Sequence, residues 1–258
     1  MEITPLNKLF DLSNKTAIVT GAVGIGYGIA YRLAEAGASV VIASRDLKEA
    51  EESAQKLIEK GWKAKGLKCD VSIEEDVKNM VEAVVTTCGS VDILVNNAGI
   101  YPSVPVMKMT LADFDKVLSV NLKGVFLCTK YTADQMIKQG KGGKIINITS
   151  IDALHPSFVG LAHYDASKHG VWGFTKNVAL ELAPNKIWVN AIAPGAVATP
   201  GVQKMQGGQE DNSFVSSIPM QRMGDIDDIG KVALFLASDM SSYMAGSQIV
   251  VDGGKLLS

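Results

Sequence analysis

TGAVGIGYGIAYRLAEAG, residues 20–37, places four glycines between positions 21 and 28 and then runs into apolar residues at helical spacing. It follows Thr16–Thr20 (TAIVT), whose β-branched residues read as a strand. Gly21, Gly24, Gly26 and Gly28 are expected to let the backbone turn tightly and approach a ligand closely, with Ile25 opening the helix. A helix beginning there offers free N–H groups and the positive end of its dipole to an anion. A strand, glycine turn and helix at the start of an α/β chain is where dinucleotides bind.

Outward from this unit the alternation continues. Ser39–Ala43, Lys65–Cys69, Ile93–Asn97, Lys144–Thr149, Trp188–Ala193 and Gln248–Asp252 also read as strands. Several are apolar on both faces, as buried parallel strands are. Helical periodicity falls near 26–36, 46–60, 73–88, 110–138, 165–183 and 226–238. Ser72 with Glu75 reads as a capping box, and Thr110 with Asp113 as a weaker one. The pattern implies a doubly wound, seven-stranded parallel sheet with helices on both faces, in one dinucleotide-binding domain over residues 1–258. Pro200–Ile218, rich in Gly, Gln and Ser, follows a strand end and is expected to be a substrate lid.

Composition narrows the function. The chain has 258 residues, 47% of them hydrophobic, with 25 basic and 27 acidic side chains interspersed to a net charge of −2. That balance argues against nucleic acid or an anionic membrane as partner. No apolar run is long enough to span a bilayer, and the first residues lack the apolar core of a secretory signal. Cys69, Cys88 and Cys128 are scattered, fit neither disulfides nor zinc, and are expected to be core residues in a reducing, cytoplasmic setting. No metal-binding spacing stands out.

Enzymes that bind NAD usually place Asp or Glu at the end of the second strand to hold the ribose 2′-hydroxyl. Here Ser44 and Arg45 occupy that place. Ser44 removes a carboxylate that would repel a 2′-phosphate, and Arg45 supplies a charge to pair with it. NADP(H) is therefore expected over NAD(H), with NAD(H) as the alternative. Further along, Ser150 closes a strand, and Tyr164 and Lys168 are one helical turn apart in YDASK. A phenol near pKa 10 is a poor acid–base group at neutral pH; a neighbouring ammonium would lower it. Ser150 can bond a substrate oxygen as charge develops there.

These motifs, in order, resemble the short-chain dehydrogenase/reductase family. The glycine turn, CDV at 69–71, NNAG at 96–99, Asn121 in SVNLKG, Ser150, YDASK at 164–168, APG at 193–195 with Thr199, and VDGG at 251–254 carry the likeness from about Asp11 to the C-terminus. The resemblance implies a Rossmann-like fold and hydride transfer between a nicotinamide cofactor and a ketone or secondary alcohol. Tyr164 looks like the general acid–base, Lys168 its modifier and ribose anchor, and Ser150 the substrate-orienting hydroxyl. Asn121 is similar to the residue that holds a proton-relay water. Asp70 and Val71 match adenine contacts, Asn97, Ala98 and Gly99 the turn beside the cofactor, and Pro194, Gly195, Val197 and Thr199 the segment clamping the nicotinamide. Family members commonly form homotetramers through helices matching 110–138 and 165–183 and the C-terminal strand.

Three features depart from the pattern. The glycine turn has two residues between Gly21 and Gly24 where the family has three, and the missing position often carries a basic residue in NADP users. Ser150 and Tyr164 are 14 positions apart where 13 is common, which places an insertion in HPSFVGL, 155–161. Trp188, where Arg is frequent, reads as packing or a subunit contact. Asp152, His155 and His163 are candidate substrate ligands, with Tyr101, Ala196 and Met205 beside the pocket. Their polarity leans to a sugar, sugar acid or polyol. A 3-oxoacyl-carrier-protein reductase is the alternative enzyme, and a non-catalytic dinucleotide-binding sensor or scaffold the alternative of another class.

Overall fold

The computed structural model describes residues 3–205 and 215–258. Its strands are β1 (Thr16–Thr20), β2 (Ser39–Ser44), β3 (Ala64–Lys68), β4 (Ile93–Asn96), β5 (Gly143–Ile148), β6 (Ile187–Pro194) and β7 (Gln248–Val251). All neighbours pair in parallel, in the order β3-β2-β1-β4-β5-β6-β7. The order reverses between β1 and β4, so a crevice opens at their C-terminal ends, beside the glycine turn.

The helices are α1 (Leu6–Leu9), α2 (Ile25–Glu35), α3 (Leu47–Ile58), α4 (Glu74–Cys88), α5 (Leu111–Leu118), α6 (Gly124–Gln139), α7 (Ala162–Leu182), α8 (Pro200–Met205) and α9 (Ile226–Ala237). Strand alternation divides the core between two faces. Ala17, Val19, Val40 and Ile42 pack with Ile29 and Leu33 of α2, Leu57 of α3 and Ile229 and Leu236 of α9. Ile18, Val41 and Leu94 pack on the other face with Val77 and Met80 of α4 and Leu127 and Met136 of α6. A Rossmann-like, doubly wound α/β sheet is thus the architecture.

Three expectations need correction. The long helix over 110–138 is broken: a π-helical turn, Ser119–Lys123, separates α5 from α6. Ser72 does not cap α4. Ile73 takes the N-cap place, and the Ser72 N–H and hydroxyl both donate to Asp70 Oδ1, at 2.9 and 2.6 Å, which turns the side chain back towards Asp70. Thr110 and Asp113 make the reciprocal box instead. Cys69 and Cys128 are buried, but Cys88 is exposed at the last turn of α4. Of the expected lid, Pro200–Met205 is helical, 206–214 lies outside the described residues, and so does the side chain of Met205. No helix among the described residues is long and apolar enough to cross a membrane.

Candidate active site

The glycine turn forms a cradle that side chains would fill. Gly21 and Gly24 have φ of +88° and +59°. A Cβ on Gly26 would lie 2.0 Å from the Gly21 carbonyl oxygen and 2.6 Å from Asn97 Nδ2, so only glycine fits. Ile25 opens α2, whose first turn has no side-chain cap, which suits an anion. Gly28 belongs elsewhere: a Cβ there would meet the Ile226 carbonyl oxygen at 2.5 Å, so it serves the contact of α2 with α9 rather than a ligand.

Thr20 ties the turn to the end of β4. Its Oγ1 accepts the N–H groups of Asn97 (3.0 Å) and Ala98 (3.1 Å), and Asn97 Nδ2 donates to the Thr20 carbonyl at 2.8 Å. Gly99 lies open beside Asn121. Thr20 was legible only as the residue before the first glycine; its role needs the β1–β4 pairing.

At the end of β2, Ser44, Arg45, Asp46, Leu47, Lys48, Glu49 and Lys68 line a cleft of about 600 Å³. Lys68 was not singled out from sequence. Parallel pairing sets it opposite Ser44, and it adds a second exposed cation beside Arg45. Asp46 is turned into the start of α3, where it accepts from the Lys48 and Glu49 N–H groups. Asp70 follows β3. Its hydrogen bonds from Ser72, with Arg45 and Lys123 nearby, outweigh its burial and hold it below the usual carboxylate range. Val71 is buried against Gly124.

The loop after β5 and the first turns of α7 bring Ser150, Tyr164 and Lys168 together. A buried polar chain fixes this junction: Asn96 Nδ2 donates to Asn147 Oδ1 (2.8 Å), and Asn147 Nδ2 to Thr175 Oγ1 (2.9 Å) on α7. Lys168 is buried, donates to the Ile148 carbonyl at 2.7 Å, and lies 5.6 Å from the Tyr164 ring centre. Burial pulls its amine down to about 8, opposed by the charge of Asp152. Tyr164 departs from expectation. Burial pushes its phenol up, the hydrogen bond with Ser150 works against this, and Asp152, Tyr101 and Asp165 push it further. Asn121, in the π-helical turn, accepts the Ile100 N–H (2.8 Å) and donates to the Ile100 carbonyl and Ser167 Oγ. It therefore links α7 to the segment after β4.

The candidate substrate ligands part company. Asp152 is buried, and both its oxygens are used: Oδ2 accepts the Ser150 hydroxyl (2.9 Å) and Oδ1 the Ser157 N–H (2.9 Å). His163 is fully buried, its Nδ1 accepting the Tyr164 N–H and its Nε2 without a hydrogen-bond partner among the described residues, so burial keeps its ring from the surface. His155 is exposed, its Nδ1 3.0 Å from the Pro156 carbonyl oxygen. The inserted loop is pinned across the site by the Val104 N–H donating to the Gly160 carbonyl at 2.9 Å. Tyr101 packs edge-on against Tyr164, ring centres 6.1 Å apart, and its hydroxyl sits against Gly201 of α8.

Pro194 ends β6, and the Gly195 N–H donates to the Val251 carbonyl. Ala196 is half-buried, and Val197 bridges to Gly224. Thr199 reaches the glycine turn, where a Cβ on Gly24 would meet its Cγ2 at 3.1 Å. The segment after β6 and the turn after β1 are therefore two walls of one crevice.

Known proteins share this fold. Residues 20–255 match the family described as enoyl-(acyl carrier protein) reductase. The 3-oxoacyl-(acyl-carrier-protein) reductase of Aquifex aeolicus is 38% identical over 245 residues, 94% of this chain and 98% of its own. A short-chain type dehydrogenase/reductase from Mycobacterium marinum superposes with a TM-score of 0.93 at 38% identity, covering 96% of this chain and 98% of its own. A gluconate 5-dehydrogenase from Burkholderia cenocepacia, in complex with NADP and tartrate, gives a TM-score of 0.91 at 32% identity, covering 98% and 99%.

Proposed function

This chain belongs to the short-chain dehydrogenase/reductase family, whose members are NAD(P)-dependent oxidoreductases of alcohols and ketones, and on that premise we propose that it transfers hydride between NADP(H) and a sugar, sugar acid or polyol. The observation that carries the cofactor choice is the cleft at the ends of β2 and β3, where Arg45 and Lys68 flank Ser44 and no carboxylate stands at position 44. Gly21, Gly24, Ile25 and Gly26 would hold the pyrophosphate, Asp70 and Val71 the adenine, and Asn97, Ala98 and Gly99 the turn beside the ribose. Pro194, Gly195, Val197 and Thr199 would flank the nicotinamide, which supplies or accepts the hydride. Tyr164 would carry the proton, Ser150 would bond the substrate oxygen, Lys168 would anchor the ribose, and Asn121 would keep a proton path open. Residues 200–218 would close over the substrate.

Support for the substrate class comes from the gluconate 5-dehydrogenase relative rather than from Asp152, whose oxygens are bonded within the protein, or His163, which is fully buried. The likeness to the Aquifex reductase favours a second reading, an acyl-carrier thioester as substrate. Family membership leaves the sensor or scaffold reading without support.

Titration with NADPH and NADH, read by nicotinamide fluorescence, tests the cofactor reading. A hydrogen bond to a charged group is worth about 1.5–3 kcal/mol, so NADPH should bind at least about tenfold more tightly, and Arg45→Ala or Lys68→Ala should each erase about tenfold of that preference. Unchanged ratios in both variants would overturn it. Initial rates on polyols, sugar acids and a 3-oxoacyl thioester then separate the two substrate classes.

A further inference from the structure

The buried face of α3 is made by Ala50, Ser53, Ala54 and Leu57, and Ser53 brings the hydroxyl to it, at 4% exposure. A serine inside a helix commonly faces solvent or bonds the carbonyl one turn before it. Ser53 Oγ instead donates to the Ala22 carbonyl at 2.9 Å, in the glycine turn 31 positions earlier. Ala22 and Val23 separate Gly21 from Gly24, and both glycines hold positive φ. The turn is tied at its two ends. The Gly21 N–H donates to the Ala43 carbonyl at 2.7 Å, and the Gly24 carbonyl accepts the Gly28 N–H at 3.1 Å. Between those ties Ser53 holds the Ala22 carbonyl. A trans peptide carries its C=O and N–H on opposite sides, so this bond turns the Val23 N–H away from α3. Among the described residues neither the Val23 nor the Gly24 N–H has an acceptor.

We propose that Ser53 is a positioning residue for the dinucleotide: by holding the Ala22 carbonyl towards α3 it sets the glycine turn, with its N–H groups free for a pyrophosphate, before the cofactor arrives. The inference rests on the reading of the turn from Gly21 to Gly26 as the pyrophosphate cradle. Glycines give a turn the freedom to take this shape and the same freedom to leave it. Without the Ser53 hydroxyl the Ala22 carbonyl loses its donor, and the peptide joining Ala22 to Val23 is freer to rotate towards water. A rotated peptide puts a carbonyl oxygen where the N–H had been, and an oxygen repels an anion. Ser53 acts on one end of the cofactor only. Asp46 caps α3 beside the cleft of Arg45 and Lys68, and Ser53 lies about two turns further along. Its effect therefore falls on the pyrophosphate that NADPH and NADH share, and not on the 2′-phosphate that distinguishes them.

The test titrates the wild type, Ser53→Ala and Ser53→Cys with NADPH and with NADH, read by nicotinamide fluorescence. The cysteine fills the serine's place with a much weaker donor, and it keeps the test open should the alanine variant fail to fold. Loss of the hydrogen bond should raise both dissociation constants by the same factor, at least about threefold, and leave the NADPH-to-NADH ratio at its wild-type value. Arg45→Ala and Lys68→Ala should move that ratio instead, so the two ends of the cofactor read out separately. Unchanged dissociation constants in the Ser53 variants overturn the proposal even if the free protein melts earlier, because the hydroxyl then serves only the packing of α3. A changed ratio also overturns it, because Ser53 then acts through the Arg45 end of α3. Wild-type protein that binds neither dinucleotide removes the cofactor reading and this inference with it. Wild-type protein that binds them no better than the variants do removes this inference alone.

Discussion

Burying an amine costs the protein the hydration of its charge, and Lys168 shows the consequence at the scale of one residue. Its amine is pulled from an ordinary value of 10.5 to about 8, chiefly by burial. Below pH 8 the folded chain must hold a buried ammonium that the unfolded chain holds in water. That penalty is fully present at neutral pH and is relieved as pH rises from 8 towards 10.5, where the unfolded chain still binds the proton and the folded chain does not. Lys168→Met should therefore abolish turnover yet stabilise the fold by about 1–3 kcal/mol at pH 7, after allowing for the lost bond to the Ile148 carbonyl. Urea unfolding at pH 7 and pH 9.5 checks this: the advantage should shrink at the higher pH, and a pH-independent difference would remove burial as its cause. The ordered motifs of the family resemblance, rather than the common Tyr–Lys spacing alone, singled out Ser150, Tyr164 and Lys168, and the fold brings Tyr164 and Lys168 onto one face of α7. The inward turn of Asp152 and His163 was not legible, because polarity says nothing of direction. Lys68 was missed because its place beside Arg45 exists only once β3 pairs with β2.

Elements were read well where their period was strong. All seven strands lie within one residue of their expected bounds, since β-branched runs flanked by turn residues leave little room for another reading. The break at Ser119–Lys123 was invisible, because a π-helical turn keeps the helical direction and only widens one turn. Glycines within helices were the other blind spot, as composition does not distinguish a ligand cradle from a close helix contact. Gly28 of α2 and Gly230 of α9 face each other: a Cβ on Gly230 would lie 2.6 Å from the Gly28 carbonyl oxygen. Arg32 clasps the same contact, its Nη2 donating to Asp227 Oδ2 at 2.7 Å, and this pair holds the Asp227 carboxyl at about 2. Gly230→Ala should force the helices apart and cost about 2 kcal/mol, or about 4–8 °C in Tm. Because α2 also opens at the glycine turn, NADPH affinity should weaken with it. Gly173→Ala on α7 is the control: among the described residues nothing lies within 4 Å of its Cβ position, so the change should be neutral or stabilising by about 0.5–1 kcal/mol. Equal loss in both variants would discard the packing argument.

For the whole molecule, the sheet order places the proposed cofactor crevice at the β1–β4 switch, and among the described residues no element covers the outer faces of α5, α6 and α7. Leu118, Leu122, Phe126 and Phe174 line a groove of about 660 Å³ there, with Phe126 and Phe174 edge-on, ring centres 6.3 Å apart. Phe126 is 43% exposed, and Leu111 and Leu180 on the same helices about three-quarters exposed. Apolar surface of this kind is expensive in water, at roughly 25 cal/mol per Å². A second copy of the chain would cover it symmetrically, since a two-fold axis pairs each helix with its own image. The expected homotetramer, assembled through these helices and the C-terminal strand, therefore has a physical motive on the helix side. Sedimentation equilibrium of the wild type should give a multiple of 27.4 kDa. Phe126→Glu combined with Phe174→Glu places four like charges across such an axis and should reduce that mass at least twofold. Lys168 of α7 points to the sheet, donating to the Ile148 carbonyl of β5, so NADPH binding should survive dissociation better than turnover, which on the proposed reading needs the first turns of α7 held still. A wild-type mass equal to one chain at all concentrations would remove the dimer and leave the groove as an uncovered face of a monomer.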